Sequence, residues 1–457
     1  MTIAHGESHH RFKGCNVILI SIDALRADHL GMYGYKRNTS PNMDAFAETG
    51  IVFENAFAQA HWTLPSHASI LTSRYPSQHG LWTYRTDVNA SSADELRTHL
   101  KGFGKGEITL AEILRKHGYA TIALTSGGYM HGDFGFKQGF SKYWHYPDAK
   151  GGIDNNVTIF KALENVTGTL DEPFFIFCHT YQVHEPYAPH PPYDVLFSGN
   201  YHGPVNGSTE FIRTHETNDG SLDEKDIRHL IALYDGGIRS ADDLLGSFFA
   251  VLNEKNLASR TLIIITSDHG EEFWEHGIHQ HQTPFDNVLR VPLIIKMPHT
   301  SSGRRIRHLV RSIDITPTIL DYLHIDVPKE CEGKSLLPTI YRNSPVTRFV
   351  FAEQPPYWYS VRDDKYKFVL VADSRVYRNQ LRASGFNGDL LFDIRSDPQE
   401  TVNLARHTSY AKVADEYKKL VLEFRARISS SHKGTPGRSI KPNPDLLRQL
   451  KSLGYMK

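Results

Sequence analysis

Short, nearly continuous apolar runs alternate with amphipathic stretches over the first 325 residues of the chain. The runs at 16–22, 173–178 and 261–266 consist largely of Val, Ile, Leu and Phe. Such runs are typical of strands buried on both faces of a parallel sheet. Helical periodicity appears between them, most clearly at 109–117 and 223–255. The alternation predicts an α/β fold with a doubly wound, mostly parallel sheet.

The pattern changes after about residue 345. Strand-like segments at 348–353, 359–372 and 388–394 follow one another without helices between them, and a helix is predicted over 412–427. This order predicts a small antiparallel α+β domain. We therefore divide the chain into a catalytic domain, 1–345, and a C-terminal domain, 346–457. The stretch 429–444 is predicted to be a polar linker to a short terminal helix.

Composition narrows the function classes. The 457 residues carry zero formal net charge, which gives no electrostatic case for a nucleic acid or a membrane surface as partner. No apolar run approaches the roughly 20 residues that span a bilayer, and 1–14 has no apolar signal core. Three scattered cysteines fit a reduced compartment. We expect a cytoplasmic protein with a small-molecule partner, and a homo-oligomer stays open.

Polar side chains follow the predicted strands directly. Asp23 comes after the first apolar run, and Asp268 and His269 come after the run at 261–266. The carboxyl ends of parallel strands share one edge of a sheet, so these side chains can meet there. Two carboxylates, one imidazole and one hydroxyl form a sensible shell for a divalent cation, with Mn²⁺ or Zn²⁺ favoured.

Thr63 supplies the hydroxyl. The stretch 63–74 reads as a helix start, with Thr63 as N-cap and Pro65 in the first turn. A helix N-terminus attracts anions through its free N–H groups and its dipole. A bound metal would lower the pKa of the hydroxyl and turn it into a nucleophile.

An ordered set of motifs resembles the sulfatase branch of the alkaline phosphatase superfamily. The matching stretches between residues 16 and 405 are Ile22-Asp-Ala-Leu-Arg-Ala-Asp, Ser40-Pro-Asn, Thr63-Leu-Pro-Ser-His, Leu71-Thr-Ser-Arg-Tyr-Pro, Thr109-Leu-Ala-Glu, His184-Glu-Pro-Tyr, Ser267-Asp-His-Gly-Glu, Arg290-Val-Pro-Leu-Ile, Asp314-Ile-Thr-Pro-Thr, Leu391-Phe-Asp-Ile and Asp397-Pro-Gln-Glu.

The resemblance implies an α/β core with a small C-terminal sheet domain. It implies a metal held by Asp23, Thr63, Asp268 and His269, and a covalent intermediate on residue 63. By family analogy Ca²⁺ or Mg²⁺ is an alternative metal. His184 matches a histidine that contacts the anionic group of the substrate.

Four departures from the family pattern change the expected chemistry. Sulfatases carry a Cys or Ser that matures to formylglycine where this chain has Thr63, and an Arg where it has His67. Their second adjacent Asp is Ala24 here, and His269 stands where many have Asn. The Asp-His pair is closer to the phosphate-ester members of the superfamily. These include phosphonate monoester hydrolases and phosphoglycerol or phosphoethanolamine transferases, and those transferases use a native threonine.

Histidines are abundant around these motifs, and two sulfate-binding lysines of sulfatases have no counterpart. One lysine position aligns with His281 and the other falls near Tyr129. We expect catalytic roles for His184 and His281. We expect substrate binding by three further residues, His131, His179 and His67. Alternatively, His179, His184 and His281 hold a second metal.

We expect structural roles for three charged residues near the metal motifs, Arg26, Glu271 and Glu272. Arg26 is expected to pair with Asp28. Glu271 and Glu272 are expected in the first turn of a helix, where the dipole favours acidic side chains.

The favoured hypothesis is a metal-dependent hydrolase of phosphate monoesters, diesters or phosphonates that acts through Thr63. The alternative is a sulfate-ester hydrolase that uses the unmodified threonine. A phosphoryl-group transferase and an inactive binding protein are weaker hypotheses.

Overall fold

The computed structural model describes residues 14–82, 100–104, 106–146, 156–215, 220–300, 302–373, 385–431 and 437–452. The strands are β1 Asn16–Ile22, β2 Ile51–Phe57, β3 Lys101–Gly102, β4 Ala120–Thr125, β5 Lys142–His145, β6 Phe174–Thr180, β7 Thr261–Thr266, β8 Glu272–Phe273, β9 His279–Gln280, β10 Arg290–Val291, β11 Leu293–Lys296, β12 Arg304–Arg311, β13 Val350–Gln354, β14 Trp358–Arg362, β15 Tyr366–Val371, β16 Leu390–Asp393 and β17 Arg438–Ser439.

The α-helices are α1 Pro41–Ala47, α2 Thr63–Thr72, α3 Pro76–His79, α4 Leu110–Lys116, α5 Asn156–Thr167, α6 Thr209–Thr214, α7 Glu224–Glu254, α8 Asp286–Leu289, α9 Ile315–Tyr322, α10 Leu337–Arg342, α11 Ala411–Ser431 and α12 Pro444–Ser452. None of the helices in these described parts is both long and apolar enough to cross a membrane.

One large sheet forms the centre of the molecule. Its strand order is β10-β2-β11-β7-β1-β6-β4-β5, and β12 pairs with β2 outside this path. The strands β7, β1, β6, β4 and β5 run parallel, whereas β11 is antiparallel to both β7 and β2. The prediction of a mostly parallel α/β sheet is confirmed.

Both faces of the sheet are covered, and β1 shows how the sequence achieves this. Val17 and Leu19 belong to the hydrophobic cluster that includes α2, α4 and α9. Ile18, Ile20 and Ile22 belong to the opposite cluster, which includes α1, α5 and α7. Successive side chains of a strand point to opposite faces, so a strand between two helical layers must be apolar throughout.

A second sheet of four antiparallel strands, β13-β14-β15-β16, follows in the C-terminal part. Helix α11 packs on it through a cluster that includes Val361, Phe368, Tyr417 and Phe424. The small antiparallel sheet with a helix is thus confirmed. The single strand predicted over 359–372 is wrong, because the chain reverses between β14 and β15. The exact domain boundary at 345 stays a prediction.

The predicted linker 429–444 is also partly wrong. Helix α11 continues to Ser431, and β17 then pairs with β3 of the catalytic part. The short terminal helix is confirmed as α12.

A buried ionic contact ties the small sheet to the catalytic part. Nζ of Lys367 in β15 lies 2.8 Å from Oδ1 of Asp286 in α8 and 2.7 Å from Oε1 of Glu400. Arg362 also pairs with Asp286. The Lys367 and Glu400 side chains are each 1 % exposed. Removing the lysine therefore leaves at least one buried carboxylate without its main partner.

We expect Lys367→Met to lower the free energy of unfolding by about 3 kcal/mol, since breaking a buried ion pair strands a charge in a poorly solvated site. Urea denaturation would measure the loss. The matched control is Lys418→Met, whose partner Asp389 lies 2.8 Å away on the surface. That change should cost under about 1 kcal/mol. Equal midpoints for both variants would contradict the prediction.

Candidate active site

The candidate site lies at the carboxyl edge of the central sheet, where β1 runs between β6 and β7. Ser21 in β1 is in register with His179 on one side and with Thr266 on the other. The chain therefore places Asp23, His179 and Asp268 at neighbouring strand ends. Asp23 N–H donates to Thr180 O at 2.9 Å, which holds the turn after β1 against β6.

Helix α2 brings Thr63 to this edge. The helix begins at Thr63 and its N-cap is Trp62, so the prediction of Thr63 as N-cap is wrong by one residue. All ten residues of α2 are buried. The Thr63 hydroxyl donates to Asp23 Oδ2 at 3.2 Å, and the Ser66 hydroxyl donates to Asp268 O at 2.5 Å. Two side chains of the first turn thus fix the helix to both strand ends.

Asp23, Asp268 and His269 form a compact group that could hold a cation. Their ligand atoms all lie within 4.8 Å of one another. His269 Nε2 is 3.7 Å from Asp23 Oδ1 and 3.4 Å from Asp268 Oδ2. These three atoms are buried and have no hydrogen-bond partner. Leaving buried polar atoms unpaired is costly, so the arrangement fits a divalent ion bound between them.

Within the described parts of the chain, this is the one group of three such residues with ligand atoms so close together. The predicted ligands Asp23, Asp268 and His269 therefore lie together, with the Thr63 hydroxyl beside them. A second metal on His179, His184 and His281 stays a prediction. The identity of the metal stays a prediction as well.

His179 holds the first carboxylate. Its Nε2 lies 3.1 Å from Asp23 Oδ2, and both side chains are fully buried. Burial alone would raise the pKa of Asp23. The hydrogen bond from His179 and the charges of nearby histidines outweigh this and hold the pKa of Asp23 well below its ordinary value. His179 was expected to bind substrate, and its observed contact is with the candidate metal ligand.

His67 lies in α2, one turn after Thr63. Its Nδ1 is 2.9 Å from Thr63 O, and because a carbonyl only accepts, Nδ1–H donates. Its Nε2 then accepts from the Ser21 hydroxyl at 2.9 Å. Burial lowers the pKa of His67 to about 4, so the ring is neutral at pH 7. These contacts position Thr63, and substrate binding by His67 stays a prediction.

His184 and His281 lie on the other side of the group, with ring centroids 5.4 Å apart. The ring of His281 is tilted by 34° against that of His269, with the ring centroids 4.3 Å apart. His184 Nδ1 donates to Glu185 O at 2.7 Å, which fixes the orientation of its ring. The structure therefore brings both predicted catalytic histidines to the candidate metal ligands.

His131 has different neighbours. It stacks on His145 at 4.3 Å, and its Nδ1 accepts from Asp133 N–H at 3.2 Å. The loop that contains His131 approaches the start of α2 through Tyr129, whose ring meets that of Trp62 edge-on at 5.0 Å. Substrate binding by His131 stays a prediction.

Tyr181 lies at the site although it was not predicted as a site residue. Its hydroxyl is hydrogen-bonded to the Thr63 side chain and accepts from Tyr129 N–H at 3.2 Å. Its ring lies 4.7 Å from His179 and 5.4 Å from His184. The position two residues after the strand-end histidine was a usable signal, because β6 delivers that stretch to the same sheet edge.

The prediction that Glu271 lies in the first turn of a helix is wrong. Glu271 lies in an extended segment before β8, not in a helix, and it is fully buried. Its Oε1 is 3.3 Å from His281 Nδ1, and its Oε2 accepts from the Tyr187 hydroxyl at 2.9 Å. Burial and the nearby Glu185 charge raise the pKa of Glu271 well above its ordinary value.

Glu272 begins β8, so its predicted place in a helix is also wrong. Arg26 does pair with Asp28, with nitrogen–oxygen distances of 3.0 and 2.8 Å, as predicted.

Comparison with known proteins identifies the family. The sequence model named Sulfatase matches residues 15–325, and the model named N-sulphoglucosamine sulphohydrolase, C-terminal, matches residues 274–427. The Trinickia caryophylli multifunctional alkaline phosphatase superfamily protein PehA is 27 % identical, over 90 % of this chain and 95 % of its own length. An arylsulfatase from Clostridium perfringens is 25 % identical, over 89 % of this chain and 94 % of its own.

Two solved structures share the fold. One protein, in complex with its substrate D-glucosamine-2-N,6-O-disulfate, superposes with a TM-score of 0.74 at 19 % identity, covering 92 % of this chain and 99 % of its own. The phosphonate monoester hydrolase of Agrobacterium radiobacter gives a TM-score of 0.70 at 21 % identity, covering 91 % and 96 %.

We expect Mn²⁺ to raise the melting temperature of protein first stripped with EDTA. At a free concentration about 100 times the Kd, a ligand that binds only the folded state stabilises it by about 2.7 kcal/mol. Asp268→Asn should abolish this shift because it removes an anionic ligand. Asp243→Asn, a partly exposed carboxylate on α7, is the control and should keep the shift. An equal shift in both variants would exclude Asp268 as a ligand.

Proposed function

The chain belongs to the sulfatase family of ester hydrolases, and we propose that it cleaves phosphate esters or phosphonates through a covalent intermediate on Thr63. One observation carries this proposal. The Thr63 hydroxyl donates to a carboxylate of the candidate metal group at the start of a buried helix. A hydroxyl in that position is next to positive charge from both the helix dipole and a bound cation.

The metal group fits the chemistry that an alcohol nucleophile requires. A divalent cation bound by Asp23, Asp268, His269 and Thr63 would supply the positive charge that lowers the pKa of the hydroxyl, as zinc lowers that of water from about 15.7 to about 7. Two carboxylates and an imidazole favour Mn²⁺ or Zn²⁺ over Ca²⁺, which prefers oxygen ligands throughout.

The residues of the chain divide the reaction into two displacements. Thr63 Oγ1 attacks phosphorus as its proton leaves along the hydrogen bond toward Asp23. The Oγ1–P bond forms, the bond from phosphorus to the leaving oxygen breaks, and His184 or His281 protonates that oxygen. Water then attacks phosphorus and gives one proton to the histidine that had protonated the leaving oxygen, the Oγ1–P bond breaks, and Thr63 Oγ1 takes its proton back from Asp23. The products are an alcohol together with phosphate from a monoester, a phosphate monoester from a diester, or a phosphonate from a phosphonate ester.

Donors around the phosphoryl group would stabilise its growing negative charge. His184 and His281, whose ring centroids are 5.4 Å apart, are the candidate side-chain donors. Such preorganised donors contribute most in a site that excludes water. His184 is buried and its ring orientation is fixed by its hydrogen bond to Glu185 O. We propose His184 and His281 as the groups that bind and protonate the departing ester.

Phosphorus is favoured over sulfur as the reacting atom for two reasons. Thr63 cannot mature to formylglycine, whose hydrate is the nucleophile in the sulfatases that the chain resembles. The Asp268-His269 pair also resembles the phosphate-ester branch more closely than the Asp-Asn pair of many sulfatases. A small anionic ester is the expected substrate, and the cytoplasmic location and the oligomeric state stay predictions.

Sulfate-ester hydrolysis by the unmodified threonine is the second candidate. Its support is the match of the sulphohydrolase C-terminal model to residues 274–427, together with the arylsulfatase relative. Both candidates use the same nucleophile and the same metal group, so the choice of ester decides between them.

A panel of aryl phosphate monoesters, diesters, phosphonates and sulfates should therefore show turnover on phosphorus esters. Activity on sulfates alone would reject our choice and support the second candidate. The panel is run with metal-loaded protein, because a stripped site would be silent on every ester.

Thr63→Ala should lower kcat by at least about 10⁴-fold, as the loss of a covalent nucleophile does in other hydrolases. Acid quenching of the wild type during turnover should trap phosphate on the peptide that contains Thr63. The control is Thr72→Ala, which makes the same change in the same helix, where the hydroxyl donates to Ala68 O. Turnover that survives in Thr63→Ala would exclude Thr63 as the nucleophile.

A further inference from the structure

The last described stretch of the chain, residues 438–452, folds back onto the catalytic part. We call it the C-terminal segment. It lies beyond both matched family models, which end at residues 325 and 427. Strand β17 pairs with β3, and Ile440 N–H donates to Leu100 O at 3.1 Å. Leu446 and Leu450 of α12 are buried in the same cluster as α2.

Gln449 connects α12 to a loop beside the site, residues 126–134. Its Oε1 accepts from Gly128 N–H at 2.9 Å, and its Nε2 donates to Asp445 Oδ2 at 2.8 Å. The side chain is thus held at both ends of its amide. Gly127 has φ +80°, and a Cβ there would lie 2.2 Å from Gln449 Oε1, so the loop backbone rests directly on the amide.

The other end of the same loop is held as well. Asn443 Nδ2 donates to Asp133 Oδ2 at 3.2 Å, and Arg438 donates to Asp133 O at 3.1 Å. The loop consists of two short 3₁₀ turns and contains three glycines, at 127, 128 and 132. Glycine-rich backbone loses much conformational freedom when it is fixed in one conformation. External contacts therefore do much to define this loop.

The loop also contacts two residues next to Thr63, Tyr181 and Trp62. Tyr129 N–H donates to the Tyr181 hydroxyl at 3.2 Å, and Tyr181 is hydrogen-bonded to Thr63. The Tyr129 ring also packs on Trp62, which immediately precedes Thr63. A short chain of contacts thus leads from Gln449 through the loop to the reacting hydroxyl.

We propose that the C-terminal segment is a positioning element of the active site, with Gln449 as its positioning residue. It holds the 126–134 loop in the conformation that forms one wall of the substrate site. The inference depends on the proposed role of the Thr63 site. Gln449 acts through the loop and does not reach the reacting atoms, so its removal should weaken substrate binding more than the chemical step.

Gln449→Met keeps the volume of the side chain and removes the hydrogen bonds to Gly128 N–H and to Asp445 Oδ2. We expect KM for the best phosphorus ester to rise roughly fivefold to tenfold, the effect of one lost hydrogen bond, with kcat within about twofold. Hydrogen–deuterium exchange should become faster in peptides from 126–134 and stay unchanged in β1. The control is Lys441→Ala in the same segment, whose side chain is exposed, and it should change neither quantity.

Asp445→Ala provides a second variant, because that carboxylate is half-exposed and anchors Gln449 without contributing to the core. It should shift exchange and KM in the same direction by a smaller factor. Unchanged loop exchange, or faster exchange with unchanged KM, would overturn the inference. Failure of the proposed function looks different, since Thr63→Ala would then keep turnover whatever Gln449→Met does. A wild type inactive on every ester would overturn both.

Discussion

The structure depends on two buried carboxylates, Asp23 and Asp268, that lie close together at one edge of a sheet. Two unit charges about 4 Å apart repel by roughly 4 kcal/mol at an effective dielectric constant of about 20. Protein donors offset part of this, including His179 Nε2 and the Ala24 N–H, which lies 3.4 Å from Asp268 Oδ1. The atoms left over face His269 Nε2. A divalent cation bound between these atoms would balance the group, at the point where the strand ends and the first turn of α2 meet.

His67 decides where the positive charge of the site comes from. In the sulfatases that the chain resembles, an arginine stands at this position, and a guanidinium is always charged. Here a buried imidazole with a pKa of about 4 is neutral at pH 7, and both of its nitrogens are used to hold Thr63 O and Ser21. Positive charge next to Thr63 would then come from a bound cation and from the helix dipole. This fits an unmodified alcohol, which needs activation more than a formylglycine hydrate does.

The sequence predicted the segments whose structure follows from their own residue pattern or from the parallel arrangement of the strands. The bounds of β1 and β7 were correct because a strand between two helical layers is apolar at every position. Their polar end residues were found because parallel strands end at one edge. β12 was missed because its exposed positions are arginines, and the turn between β14 and β15 was missed because Asp363 Oδ1 caps Lys365 N and Tyr366 N within an otherwise strand-like run. The contacts of Glu271 and Gln449 arise from distant segments, and no local pattern contains them.

The C-terminal parts of the chain act on the site through two glutamine amides. Gln354, at the end of β13, accepts from Trp62 Nε1 at 3.2 Å and lies 3.1 Å from His61 Nε2. His61 in turn donates to His281 O at 2.6 Å. The amide of Gln354 therefore connects His61 and Trp62, and through His61 the backbone of His281. The amide of Gln449 holds the 126–134 loop. Neither amide carries charge, so each can fix backbone and ring positions without disturbing the balance between the carboxylates and the cation. The small sheet and the last helix thus contact residues around the candidate site, although every candidate metal ligand and both candidate catalytic histidines come from the first 281 residues.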